Sequence, residues 1–238
     1  MEKEQNKLPR LDIMIDMETV SNAENAGILS LAFLPFSRHG EEKDGEPFYK
    51  VIDLASCYMA GMNMVGCQEW WMQQDPKAVS EIVNAPKKEN ISAVINEAFS
   101  YLSALAEQHE IILWSRGTDY DFPKLEWCIR KFVEKPYPYK YYNKRDVRTW
   151  VKETGLDESQ FEFEGIKHNA LDDCRHQAKL LQASFWQLEP KQAKANEVFT
   201  PDVSTVSPTP KVGWRKRIED KIEKSKPLRP KGIPGSQK

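Results

Sequence analysis

Residues 11–20 read LDIMIDMETV, an apolar run that ends in two carboxylates spaced by one residue. In a strand, side chains alternate between faces, so Asp16 and Glu18 share one face while Ile13, Ile15 and Met17 take the other. LDIMI, 11–15, is apolar on both faces, as in the middle of a covered sheet. Two like charges at the end of such a strand repel each other and lose hydration. A divalent cation with oxygen ligands offsets both costs. Taken alone, D-x-E is equally a strand end emerging into solvent.

Two further apolar runs follow, ILSLAFLPF at 28–36 and PFYKVIDL at 47–54, separated by the turn signals SNAENAG and RHGEEKDGE. Consecutive hairpins of this length predict an antiparallel meander. The period then changes. QEWWMQQDPKAVSEIV and ISAVINEAFSYLSALAEQ repeat apolar residues every three or four positions, which predicts two amphipathic helices. IILW, 111–114, reads as a strand and FPKLEWCIRKFV as a helix. A short aromatic strand near YPYKYY, a helix around DVRTWVKETG and a last helix from about Ala170 to Leu188 complete the order β-β-β-α-α-β-α-β-α-α. This is an α/β chain with helices flanking a mixed sheet.

The net charge of −2 over 238 residues hides two unlike parts. Residues 191–238 carry 12 Lys/Arg against 5 Asp/Glu, a charge of +7, which leaves −9 for residues 1–190. The basic part is rich in Pro, Lys, Ser and Thr. It cannot bury enough apolar surface to offset ordering entropy, so a globular domain at 1–190 and a mostly flexible tail at 191–238 are expected. Within the tail, Trp214, Ile218 and Ile222 recur at helical spacing. No apolar run is long enough to cross a bilayer, and the charged start MEKEQNKLPR does not suit a signal peptide. Cys57, Cys67, Cys128 and Cys174 form no C-x-x-C pair, so buried, reduced thiols are expected. These features predict a soluble, cytoplasmic protein.

Two more acidic elements join Asp16 and Glu18. In SRGTDYDFPKLEW, 115–127, Gly117 permits a tight turn and Pro123 fits the first turn of the following helix. Asp119 and Asp121 therefore lie at a strand-to-helix junction, where either also suits an N-cap. In KHNALDDC, 167–174, the last helix begins. Its apolar stripe runs Ala170, Cys174, Ala178, Leu181, Phe185, Leu188. On a helical wheel Asp173 lies about 105° from the stripe's centre and Asp172 about 155°, so Asp173 is nearer the interior. His168 precedes the helix on a loop.

The series D-x-E, G-x-x-x-D-F-x-x-L and H-x-x-x-x-D on this element order resembles the DEDDh branch of the DnaQ-like 3′-to-5′ exonucleases on a ribonuclease H-like fold. It is most similar to the exonuclease A type of tailed phages and its bacterial relatives. The E-W-W segment (Glu69, Trp70, Trp71) and the N-x-R-D-x-R segment (Asn143, Arg145, Asp146, Arg148) support the resemblance, which covers about residues 11–188. It implies that Asp16, Glu18, Asp121 and Asp173 bind two Mg²⁺ or Mn²⁺ ions and that His168 is the general base. The acid preceding Phe selects Asp121 over Asp119. The implied activity is removal of 5′-mononucleotides from the 3′ ends of single-stranded DNA, with RNA the alternative. A nucleic-acid-binding adaptor on the same fold would have lost these acids. Trp70, Trp71, Tyr120 and Phe122 offer stacking faces for bases, although paired Trp also suits a core and Phe122 and Leu125 begin an apolar helix face. Arg116, Arg145 and Arg148 offer phosphate contacts. An Arg145–Asp146 salt bridge that orders the strand-to-helix junction is the structural alternative. The basic tail is a second candidate contact for nucleic acid or a protein partner.

Overall fold

The computed structural model describes residues 8–40 and 45–198, with side chains through residue 188. The described residues up to Lys194 belong to one compact unit. Five strands, β1 (Arg10–Thr19), β2 (Ile28–Phe36), β3 (Phe48–Val51), β4 (Glu110–Ser115) and β5 (Lys144–Asp146), form one sheet in the order β3-β2-β1-β4-β5. The meander is antiparallel, and β4 and β5 add parallel to β1 on its other side.

Helices cover both faces, which is why the central strand is apolar on both. Ile13, Ile15 and Met17 pack against α4 (Ile91–Gln108) and α5 (Asp121–Phe132), through Val94, Ile95, Leu102, Leu125 and Ile129. On the other face Met14 meets α6 (Val147–Thr154) and α7 (Ala170–Val198), through Val151, Cys174, Ala178 and Leu181. The expected α7 stripe is the face buried on the sheet. All four cysteines are free and buried.

Several boundaries differ from the expected ones. The third run gives a strand only to Val51. Asp53 then caps a short helix, α1 (Leu54–Met59), by accepting from the Ala55 N–H. The segment 68–83 is two helices, α2 (Gln68–Met72) and α3 (Pro76–Val83), because Asp75 caps a new start and Pro76 occupies its first turn. The aromatic stretch before β5 contains a 3₁₀ turn, Tyr141–Asn143, and the strand begins only at Lys144. α7 continues past Leu188 and through Pro190 to Val198. One proline removes a single helical N–H, and the Lys, Gln, Ala and Glu around it favour helix. The helix thus crosses the boundary expected at 190/191. The rest of the expected tail, with its 214–222 apolar pattern, lies outside the described residues.

Candidate active site

Parallel β1 and β4 pair as far as Met14 and Trp114; β4 ends one residue later at Ser115, and β1 runs on to Thr19, so the last residues of β1 stand beyond the end of β4, where the chain turns into α5. Asp16 and Glu18 stand near the end of β1 on the α7 face. Asp121 opens α5 and Asp173 lies in the first turn of α7, so both helix N-termini add partial positive charge beside them.

Three ligand atoms, one each from Glu18, His168 and Asp173, lie within 4.8 Å of one another. His168 Nδ1 is 3.7 Å from Glu18 Oε1, and the His168 backbone N–H donates to Asp173 Oδ2 at 2.8 Å. His168 has φ +67°, a left-handed conformation that costs a non-glycine residue about 1–3 kcal/mol. The bond to Asp173 and the Asn169 N–H to Ile166 O bond, 3.0 Å, hold it there. Asp121 is buried and accepts from Ser115 Oγ at 2.5 Å. Asp16 Oδ1 accepts from Gln177 Nε2 at 3.2 Å.

The neighbouring acids have other surroundings. Asp172 accepts from the Ile166 N–H and pairs with Arg175, so it braces the loop before α7. Asp119 is exposed. Asp12, one more carboxylate on the α7 face of β1, is buried and compensated by Arg10, Arg38 and Trp114 Nε1. These partners hold its carboxyl below the ordinary range against the effect of burial.

The site acids are in the opposite situation. Burial, then repulsion from Asp121, Glu18 and Asp173, pushes Asp16 well up. Burial raises Glu18, with His168 opposing. Asp121 rises to about 7 through burial, opposed by Ser115 and Lys124, and Asp173 to about 6 through burial and Glu18. The Glu18 carboxylate raises His168 in turn. Four carboxylates forced together without enough compensating cations form a donor set that fits hard divalent ions.

The aromatic residues divide. Trp70, 43% exposed, packs edge-on against the His168 ring at 4.8 Å between centroids. It lines a pocket of about 280 Å³ with Glu18, Thr19 and Tyr120. Trp71 donates from Nε1 to Thr19 O at 2.9 Å and packs beside Val20 and Leu29. The Tyr120 hydroxyl meets Thr19 Oγ1 at 2.7 Å. Phe122, in contrast, is 1% exposed within the core under β1. Its expected stacking on bases does not hold, because α5 turns it under the sheet. Phe122→Ala should therefore cost about 3–5 kcal/mol in denaturant unfolding. Unchanged stability with a raised KM would restore the stacking role.

The arginines meet other groups. Arg116 Nη2 donates to Glu158 at 2.8 Å. Arg145 Nη1 donates to Tyr142 O and Lys144 O. Arg148 is exposed near Asp146 and the Gly117 turn. The junction is ordered through Asp146, but by accepting the Thr149 and Thr118 N–H groups, which caps α6 and ties down the turn before Asp121. Gly117 in that turn has φ +125°, a conformation open to glycine. Asn143 Nδ2 donates to Ile111 O at 3.0 Å, so it too is a brace.

Sequence reasoning missed Lys124 and Gln177. Lys124 is 2% exposed; its Nζ donates to Tyr120 O at 3.1 Å and lies 3.3 Å from the Tyr120 ring centroid. Gln177 lies one turn after Asp173, a spacing visible in the sequence but without a chemical signature of its own.

Sheet order, carboxylate cluster and adjacent histidine fit a 3′-5′ exonuclease domain on a ribonuclease H-like fold. Residues 11–185 match the family described as the 3′-5′ exoribonuclease Rv2179c-like domain, and the chain belongs to it. An exodeoxyribonuclease of Enterobacteria phage T4 is 29% identical over 168 residues, 59% of this chain and 70% of the relative. Exonuclease I from Methylocaldum szegediense shares the fold with a TM-score of 0.50 at 15% identity, over 80% of this chain and 43% of that one. The nuclease domain of 3′hExo, a DEDDh family member solved with rAMP, superposes with a TM-score of 0.48 at 13% identity, over 75% of this chain and 92% of that one. Among the described residues no helix is long and apolar enough to cross a membrane.

Proposed function

We propose that this protein removes 5′-mononucleotides from the 3′ ends of single-stranded DNA in the cytoplasm, using two divalent ions, Mg²⁺ or Mn²⁺. The observation that carries the reading is the convergence of Asp16, Glu18, Asp121 and Asp173 with His168 at one sheet edge. When bound, the ions supply positive charge against the attacking and leaving oxygens of the phosphodiester. Asp16, Glu18, Asp121 and Asp173 would hold the ions. His168, whose Nδ1 lies 3.7 Å from Glu18 Oε1, takes the proton of the attacking water. Trp70 and Tyr120 flank the pocket beside Glu18 and present apolar surface to the terminal nucleoside.

DNA is favoured by the likeness to a phage exodeoxyribonuclease. The family description names RNA, and this supports an exoribonuclease as the second reading. Digestion of matched DNA and RNA oligomers with free 3′ ends decides between them. DNA should be degraded at least about tenfold faster, and a strong RNA preference would reverse the assignment.

The +7 charge of residues 191–238 would supply salt-sensitive attraction to the nucleic-acid backbone that a −9 body lacks. Deletion of 191–238 should weaken oligomer binding at low salt and flatten its salt dependence. Unchanged affinity would leave the tail without that role.

A further inference from the structure

We propose that Gln177 is a positioning residue of the metal site, which orients the Asp16 carboxylate through Nε2 and turns its own Oε1 into the site as an acceptor for a hydrated divalent ion. This rests on the reading of the four acids as metal ligands. Gln177 is 4% exposed and lies one helical turn beyond Asp173, on the side of α7 that meets β1. Its Nε2 donates to Asp16 Oδ1 at 3.2 Å, while Oε1 is buried and finds no hydrogen-bond partner among the described residues.

An unpaired buried amide oxygen costs about 1–3 kcal/mol, and a leucine at this position would avoid that cost. The amide orientation follows from its partner. A carboxylate requires a donor, so Nε2 faces Asp16 and Oε1 is left as the unmatched atom. Fixing Oδ1 also fixes the direction of Oδ2. Loss of an orienting partner of this kind typically weakens metal binding by about 10–100-fold.

The experiment is a Mn²⁺ titration, by calorimetry, of the full-length parent, Gln177→Leu and Asp16→Asn, with thermal melts of each metal-free protein. Gln177→Leu should bind Mn²⁺ about 10–100-fold more weakly. It should melt no lower than the parent and regain most of its kcat at saturating Mn²⁺. Mn²⁺ affinity within twofold of the parent would overturn the proposal. Gln177→Met, which keeps the length and flexibility of the side chain, replaces Gln177→Leu if the latter does not fold. If the parent binds no Mn²⁺, or Asp16→Asn binds as the parent does, the metal-ligand reading itself fails, a result distinct from failure of Gln177 alone.

Discussion

Asp121→Asn should raise the melting temperature of the metal-free protein at pH 8 while reducing exonuclease activity by on the order of 10³-fold, because a bound ion supplies several kcal/mol of transition-state stabilisation. Asp121 is 3% exposed, and its carboxyl is raised from 3.8 to about 7. Holding it ionised in the folded state costs up to about 4 kcal/mol at pH 8. Asparagine keeps the shape and can still accept from Ser115, but carries no charge to desolvate. Its unmatched amide hydrogens return part of the gain, so about 1–3 kcal/mol remains, or roughly 3–10 °C.

The same shifts set the pH dependence. Asp121 and Asp173 have folded values of about 7 and 6 against an unfolded value of 3.8, so between about pH 4 and 7 the folded state holds more protons. Stability of the metal-free parent therefore falls as pH rises through that window. Asp12 acts in the opposite sense: its carboxyl is lowered, and the stability it contributes is lost only as pH falls through its folded value. Saturating Mn²⁺ should flatten the loss above pH 6. A destabilised Asp121→Asn, or a metal-free parent most stable at pH 8, would mean that the acids are not mutually repelling in the native state.

His168→Ala should lower kcat by about 10²–10⁴-fold, the usual contribution of a positioned general base. Mn²⁺ affinity should stay within a few-fold of the parent, because a base that acts on water is not required to ligate the ion. His168 Nδ1 lies close enough to Glu18 and Asp173 that ligation is the competing role. Calorimetry separates the two: a hundredfold loss of Mn²⁺ affinity would make His168 a ligand. In the parent, kcat should fall with acidification as His168 protonates. Glu18 raises that titration, and ions held at Glu18 would offset the rise. The acid limb should vanish in His168→Ala.

Much of this site was readable before any tertiary contact was known. The two-residue spacing of Asp16 and Glu18 places both on one strand face, and the wheel position of Asp173 turns it inward where Asp172 is not. Both follow from local geometry. The D-P step at 75–76 also carried the break between α2 and α3, but the apolar period running through it read as one helix. For Trp70 and Phe122 the local pattern was ambiguous. Either aromatic suits a core, yet Trp70 lines the pocket and Phe122 is buried beneath β1.

What the sequence alone determined is the mixed α/β order and the face of each strand and helix, which depend on periodicities of two or 3.6 residues. The grouping of the four acids with His168, and the choice of Asp121 over Asp119, came from the likeness of dispersed motifs to a known family. Only the tertiary structure decided what compensates each buried charge. Asp12 and Asp16 lie four residues apart on the same face of β1, yet Asp12 meets Arg38 and Trp114 while Asp16 meets Asp121, Asp173 and Gln177. These partners come from distant parts of the chain, and no local pattern specifies which of them reaches which carboxylate. That difference makes one acid a structural ion pair and leaves the other as a candidate metal ligand.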